Sequence, residues 1–138
     1  MRLSFPYQYF GQTLFGDLYR PYAQLNVLRK KPPINWIERT MIVDTGADYT
    51  IFPFSDSFIF GVDCKKECKK EETYGVGGKK TVYLYKNLTV RLGTLQRIIS
   101  VGFLEDSSIP ALLGRQQFLD LFNITFSRFV TTFSDSKA

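Results

Sequence analysis

Met41-Ile42-Val43-Asp44-Thr45-Gly46-Ala47-Asp48-Tyr49-Thr50 runs from an apolar triplet straight into Asp-Thr-Gly. The triplet predicts a buried strand, and the aspartate falls where that strand must turn. Gly46 supplies the permissive dihedrals and the close backbone approach that such a turn needs. A carboxylate at the end of a buried strand is costly unless it has partners. Asp, Thr and Gly are also ordinary turn residues, so the tripeptide alone describes a turn as readily as a site. A second element gives it company. Ile109-Pro110-Ala111-Leu112-Leu113-Gly114-Arg115 is an apolar run ending in glycine, and Gly114 lies 114 − 44 = 70 residues beyond Asp44. Between the two stands Tyr74-Gly75-Val76-Gly77-Gly78, the composition of a hairpin tip.

Around these motifs the chain alternates with a period of two. Ala23, Leu25 and Val27 are separated by Gln24 and Asn26; Val82 and Leu84 follow Thr81 and Tyr83; Leu88, Val90 and Leu92 flank Thr89 and Arg91. Each segment reads as a half-buried strand. A further strand is expected from about Trp36 to Val43, and Ile98 to Phe103 forms another apolar segment. Turns are expected at Lys31-Pro32-Pro33, Gly75 to Gly78, Asn87 and Gly93. One short helix is expected after Gly114, with Phe118, Leu119 and Phe122 on one face and Asn123 closing it before a strand through Ile124 and Phe126. Residues 134–138 read as a frayed tail. With 138 residues, no repeat and no linker, the chain is expected to be a single mostly-β domain over 1–138, and its 13 Phe, 8 Tyr and one Trp supply core material.

Composition removes several chemistries. The chain has no histidine, so Ser-His and Cys-His nucleophile pairs, histidine bases and histidine zinc ligands are impossible within it. Catalysis would have to rest on carboxylates, lysine or hydroxyls. Cys64 and Cys68 are the only cysteines; they cannot complete a four-ligand zinc site, and whether they are free or bridged stays open. No metal or cofactor is expected. The net charge of +5 speaks to solubility before function. Its main tract, Lys65 to Glu72, mixes both signs, so a solvated loop or hairpin is expected there and no nucleic-acid partner. No run approaches the roughly 20 apolar residues of a membrane span, and Pro6, Gln8 and Gln12 interrupt any secretory apolar region. No membrane association is therefore expected, and a cytoplasmic location is favoured.

The order apolar-apolar-Asp-Thr-Gly-Ala, glycine hairpin, apolar-Leu-Leu-Gly-Arg resembles the single-lobe aspartic proteases, the retropepsin-like family, over about residues 20 to 130. The resemblance implies an all-β, closed barrel-like acid-protease lobe with one short C-terminal helix, active as a two-fold homodimer. Peptide hydrolysis by this route needs two carboxylates sharing one proton, one activating a water and the other donating to the carbonyl oxygen. Asp56-Ser57-Phe58 and Asp135-Ser136-Lys137 lack the glycine, so the second carboxylate would come from a second copy, and a monomer would be inactive. Asp44, Thr45 and Gly46 would form the catalytic triplet, Thr45 exchanging hydroxyl hydrogen bonds with the opposite loop. The coupled pair would favour mildly acidic pH.

Ala47 and Asp48 would contact the substrate backbone. Arg115 would join Asp48 in a partly buried bidentate pair, with Thr50, Leu113 and Gly114 as structural support. Gln116 departs from the Asn or Asp common at its position. Tyr74, Gly75, Val76, Gly77 and Gly78 would form a flap closing over an extended peptide of about seven or eight residues, Tyr74 being a flap aromatic or a plain strand residue. Val76, Ile109 and Leu112 are cleft walls or core, and Phe52, Phe54, Phe58 and Phe60 are core or subsite lining. Thr125 to Phe133 and the aromatic Phe5, Tyr7, Tyr9 and Phe10 would either interleave between copies or complete one subunit's sheet. The competing class is a catalytically silent dimerisation or peptide-binding module on the same fold.

Overall fold

The computed structural model describes residues 1–75, 78–106 and 108–135. In chain order the strands are β1 (Arg2–Pro6), β2 (Gln8–Thr13), β3 (Gly16–Arg20), β4 (Tyr22–Leu28), β5 (Trp36–Val43) and β6 (Thr50–Pro53), then β7 (Lys69–Gly75), β8 (Gly78–Leu92), β9 (Leu95–Leu104), β10 (Leu112–Leu113), β11 (Phe122–Ser127) and β12 (Val130–Asp135). Two short helices, α1 (Ser55–Ile59) and α2 (Cys64–Glu67), lie between β6 and β7.

Seven strands form one sheet in the order β4-β5-β10-β6-β9-β8-β7. Its far end curls back, because β8 also pairs with β4 through Asn26↔Arg91 and Val27↔Val90. This second pairing closes β4, β5, β10, β6, β9 and β8 into a ring, which removes their open edges. The predicted alternation explains the inside of the ring. Ala23, Leu25 and Val27 of β4 are buried while their neighbours are half-exposed, and they meet Met41, Phe52, Phe60, Leu88, Ile99, Phe103 and Leu113, each at most 1% exposed. β8 is long enough to pair with β7 from Gly78 to Leu84, with β9 from Val82 to Leu92, and with β4 at Val90 and Arg91.

A second sheet, β1-β12-β11, joins the two ends of the described chain, with Phe5↔Thr131 and Ile124↔Phe133 in register. Phe5 and the Thr125 to Phe133 segment thus pair within one chain, whereas Tyr9 and Phe10 lie in the next hairpin. β2 and β3 form a separate hairpin.

Three sequence expectations need correction. The helix after Gly114 is absent; residues 115–118 turn, and only Leu119–Leu121 winds, as a single 3-10 turn. Gln117 takes φ 63, a left-handed dihedral that stops helical propagation, while Phe118 and Leu119 are still buried as their apolar character requires. Asn87 does not end a strand. It sits in a register irregularity between Tyr85 and Leu88 within β8, where a bulge leaves Lys86 and Asn87 exposed and keeps Tyr85 and Leu88 inside. Ser134 and Asp135 are not frayed but end β12, opposite Arg2 and Asn123, and Phe122 respectively; residues 136–138 lie outside the described residues.

The mixed-charge tract Lys65 to Glu72 forms the end of α2 and the start of β7, the first strand of the β7-β8 hairpin, with most of its side chains exposed. Asp63 caps α2 by accepting from the Lys65 amide at 3.2 Å, and Glu67 accepts from the Asp63 amide at 2.6 Å. Both cysteines are free. Burial, then the neighbouring Cys64, pushes the Cys68 thiol up to about 12.

Candidate active site

β5 carries Asp44 to the rim of the ring. Met41 and Val43 point into the core and anchor the strand, and three backbone bonds then fix its end. The Val43 amide donates to Pro21 O at 2.8 Å, the Asp44 amide to Leu113 O at 3.0 Å and the Ala47 amide to Asp44 O at 3.2 Å. The Gly46 amide donates to Asp44 Oδ1 at 2.9 Å, so the turn itself aims the half-buried carboxylate. A Cβ on Gly46 would lie 3.3 Å from that same oxygen. Thr45 and Gly46 are exposed beside it.

The second motif crosses behind the first. A Cβ at Gly114 would sit 2.2 Å from both the carbonyl carbon and the oxygen of Tyr49, so the two backbones touch where only glycine fits. The Gly114 amide donates to the fully buried Thr50 Oγ1 at 3.2 Å. Beyond it, the Arg115 amide donates to Ala47 O at 3.0 Å and the Gln116 amide to Asp48 O at 2.8 Å. Residues 64 to 68 apart in sequence are thereby stitched into one loop pair. Leu113 is buried, and its carbonyl holds Asp44.

Arg115 and Asp48 do meet, Nη2 to Oδ1 at 2.6 Å. The partly buried bidentate pair expected from the sequence is, however, a single contact between side chains 47% and 71% exposed. The turn that replaces the helix leaves Arg115 at the rim, and the fastening passes to its backbone amide. An exposed pair of this kind contributes about 0.2–1 kcal/mol. Arg115→Met should accordingly lower stability by less than about 1 kcal/mol in urea unfolding; a loss of several would show that the guanidinium, not the amide, ties the loops.

Tyr49, which sequence reasoning passed over, buttresses the loop from beneath. Its ring packs on Gly102, where a Cβ would be 2.7 Å from Cε2. Burial raises the Tyr49 phenol above its ordinary value, and the carboxylates of Asp48 and Glu71 add to the rise. Glu71 belongs to β7, the first strand of the β7-β8 hairpin. That hairpin pairs Tyr74 with Lys79 and Gly75 with Gly78, the latter at φ 92. Tyr74 is 75% exposed, and Val76 and Gly77 lie outside the described residues.

The aromatic cluster after the loop divides. Phe52 and Phe60 are core, whereas Phe54 and Phe58 line a hollow of about 550 Å³ with Arg29, Cys64, Tyr83 and Glu105. That hollow takes no residue from the Asp44 loop. Ile109 and Leu112 are half-buried.

No protein-family model matches the sequence, and no curated protein matches it. The fold does match solved structures. A crystal structure of a retropepsin-like aspartic protease from Rickettsia conorii superposes with a TM-score of 0.66 over 96% of this chain and 98% of that one, at 14% identity. At that identity the similarity is one of architecture, and the chain has the all-β lobe of an acid protease.

Proposed function

We propose that this chain is an aspartic endopeptidase that works as a two-fold homodimer, one Asp44 coming from each copy. The observation that supports it most is the setting of Asp44. The Asp44 backbone amide donates to the Leu113 carbonyl at the end of a core strand, and the half-buried carboxylate is aimed by the Gly46 amide, on a lobe of acid-protease architecture. Such precision is what a site needs when two carboxylates must straddle one water.

With two loops facing each other across the axis, one carboxylate takes a proton from the water as it attacks the peptide carbonyl, and the other donates its proton to the carbonyl oxygen. Thr45, exposed beside Asp44, would hydrogen-bond across the axis. Asp48 and the Ala47 backbone would hold an extended substrate whose strand-like backbone pairs with the cleft. The β7-β8 hairpin would close over it and exclude water from all but the reacting position.

Mixing subunits tests the shared site. With nine Asp44→Asn subunits per wild-type subunit, random pairing leaves about one wild-type chain in ten with an active partner, and cleavage of a casein-type unfolded substrate should fall roughly tenfold. Cleavage that tracks the wild-type amount alone, with exchange between dimers verified by mass, would mean each chain acts by itself.

A further inference from the structure

We propose that the β2-β3 hairpin is a docking arm whose Leu14-Phe15 tip seats on a second copy of this chain. The inference rests on the homodimeric reading above and names the surface that would bring the copies together. Leu14 and Phe15 are 96% and 97% exposed, although each would gain from burial. They occupy the two turn positions between Thr13 and Gly16, where Asn, Asp or Gly is the ordinary choice. The left-handed dihedral there is taken by Gly16 at φ 103, so the turn closes without asking anything of the two apolar side chains. A local rule is broken with no gain inside the chain, which marks a surface selected for contact.

The arm is built rigid. The Thr13 hydroxyl donates to Gly16 O at 2.9 Å and accepts from the Phe15 amide at 3.1 Å. Tyr19 stacks edge-on between Tyr9 and Phe129, at 5.4 and 5.3 Å, tying the arm to the turn before β12, and the Arg20 guanidinium lies 3.5 Å over the Phe10 ring. Preorganisation of this kind lowers the ordering cost of association. The root of the arm is at the Asp44 loop, since Pro21 follows Arg20 and accepts from the Val43 amide. A face continuous with a site that needs two copies is the face a two-fold dimer would use, and an uncharged apolar tip is self-compatible across such an axis. The arm carries one acid, Asp17, and one base, Arg20. It therefore lacks the basic cluster by which an anionic membrane would hold it.

The test is sedimentation velocity over a concentration series on wild type, Asp44→Asn and the double variant Leu14→Asp/Phe15→Asp, with a thermal melt of each. We expect wild type and Asp44→Asn to dimerise. The double variant should melt like wild type but dissociate on the order of 100-fold more readily, and its cleavage should recover as its concentration is raised. A double variant as dimeric as wild type would overturn the arm while leaving the shared-carboxylate reading intact. A wild type that cleaves as a monomer would sink both. A monomeric wild type that pellets with phosphatidylcholine–phosphatidylserine vesicles through Leu14 and Phe15 would assign the tip to membrane and overturn the proposal.

Discussion

Asp44→Asn should abolish proteolysis while leaving fold and dimer mass unchanged. In a homodimer one substitution replaces both carboxylates, so the general base and the general acid go together. Each such role is worth about 10²–10⁴-fold, and the combined loss should be about 10⁴-fold or more on an unfolded protein at roughly pH 4–6. The structure explains why folding should survive. The side-chain partner recorded for Asp44 is the Gly46 amide at 2.9 Å, and an asparagine carbonyl oxygen accepts the same bond in the same place. A thermal melt within a few degrees of wild type, beside a flat progress curve, is the expected pair of readings. Undiminished cleavage by a purified variant would remove Asp44 from the chemistry, and a wild type that binds peptides without cutting them would favour the silent binding module.

Gly114→Ala should be the most damaging added methyl among the described glycines. The new carbon would lie 2.2 Å from two backbone atoms of Tyr49, so the strain cannot be relieved by rotating a side chain. The two loops must part, and parting them stretches the Gly114–Thr50 bond as well as those from Arg115 and Gln116. Overpacking in a core costs 1–3 kcal/mol even where side chains can yield. Here about 3 kcal/mol or more is expected, read as a fall in melting temperature of about 10 °C or more. Because the Leu113 carbonyl holds Asp44, whatever folded protein remains should also cleave poorly. A variant with wild-type melting would mean that the crossing is looser than the structure has it.

Much of the barrel was legible before any coordinates. The strand Trp36–Val43 and the alternation of β4 appear in the structure as read, because a two-residue period reports directly which side of a pleated ribbon is wet. The two motifs picked out in the sequence do meet, Gly114 because only glycine fits against Tyr49, whereas Gly46 takes no left-handed dihedral and serves through its amide on Asp44 Oδ1. Less visible were features set by balance between neighbours. Phe118, Leu119 and Phe122 have helical spacing, yet Gln117 takes a left-handed dihedral that breaks the winding, and the three side chains are buried without a helix. At Lys86-Asn87 a bulge, not a turn, reconciles one long strand with two separate partners.

By itself the sequence determined an all-β class, the exclusion of histidine chemistry from the chain, and the two motifs around Asp44 and Gly114. Tertiary structure alone decided that Arg2–Pro6 pairs with Val130–Ser134, that Tyr49 lies under Gly114 and against Gly102, that Arg115 works through its amide, and that Leu14 and Phe15 stand in solvent. The division has a physical cause. Periodicity and turn chemistry are properties of a few adjacent residues, whereas pairing across more than a hundred residues, and the burial or exposure of any one ring, depend on which distant surfaces the closed barrel brings together.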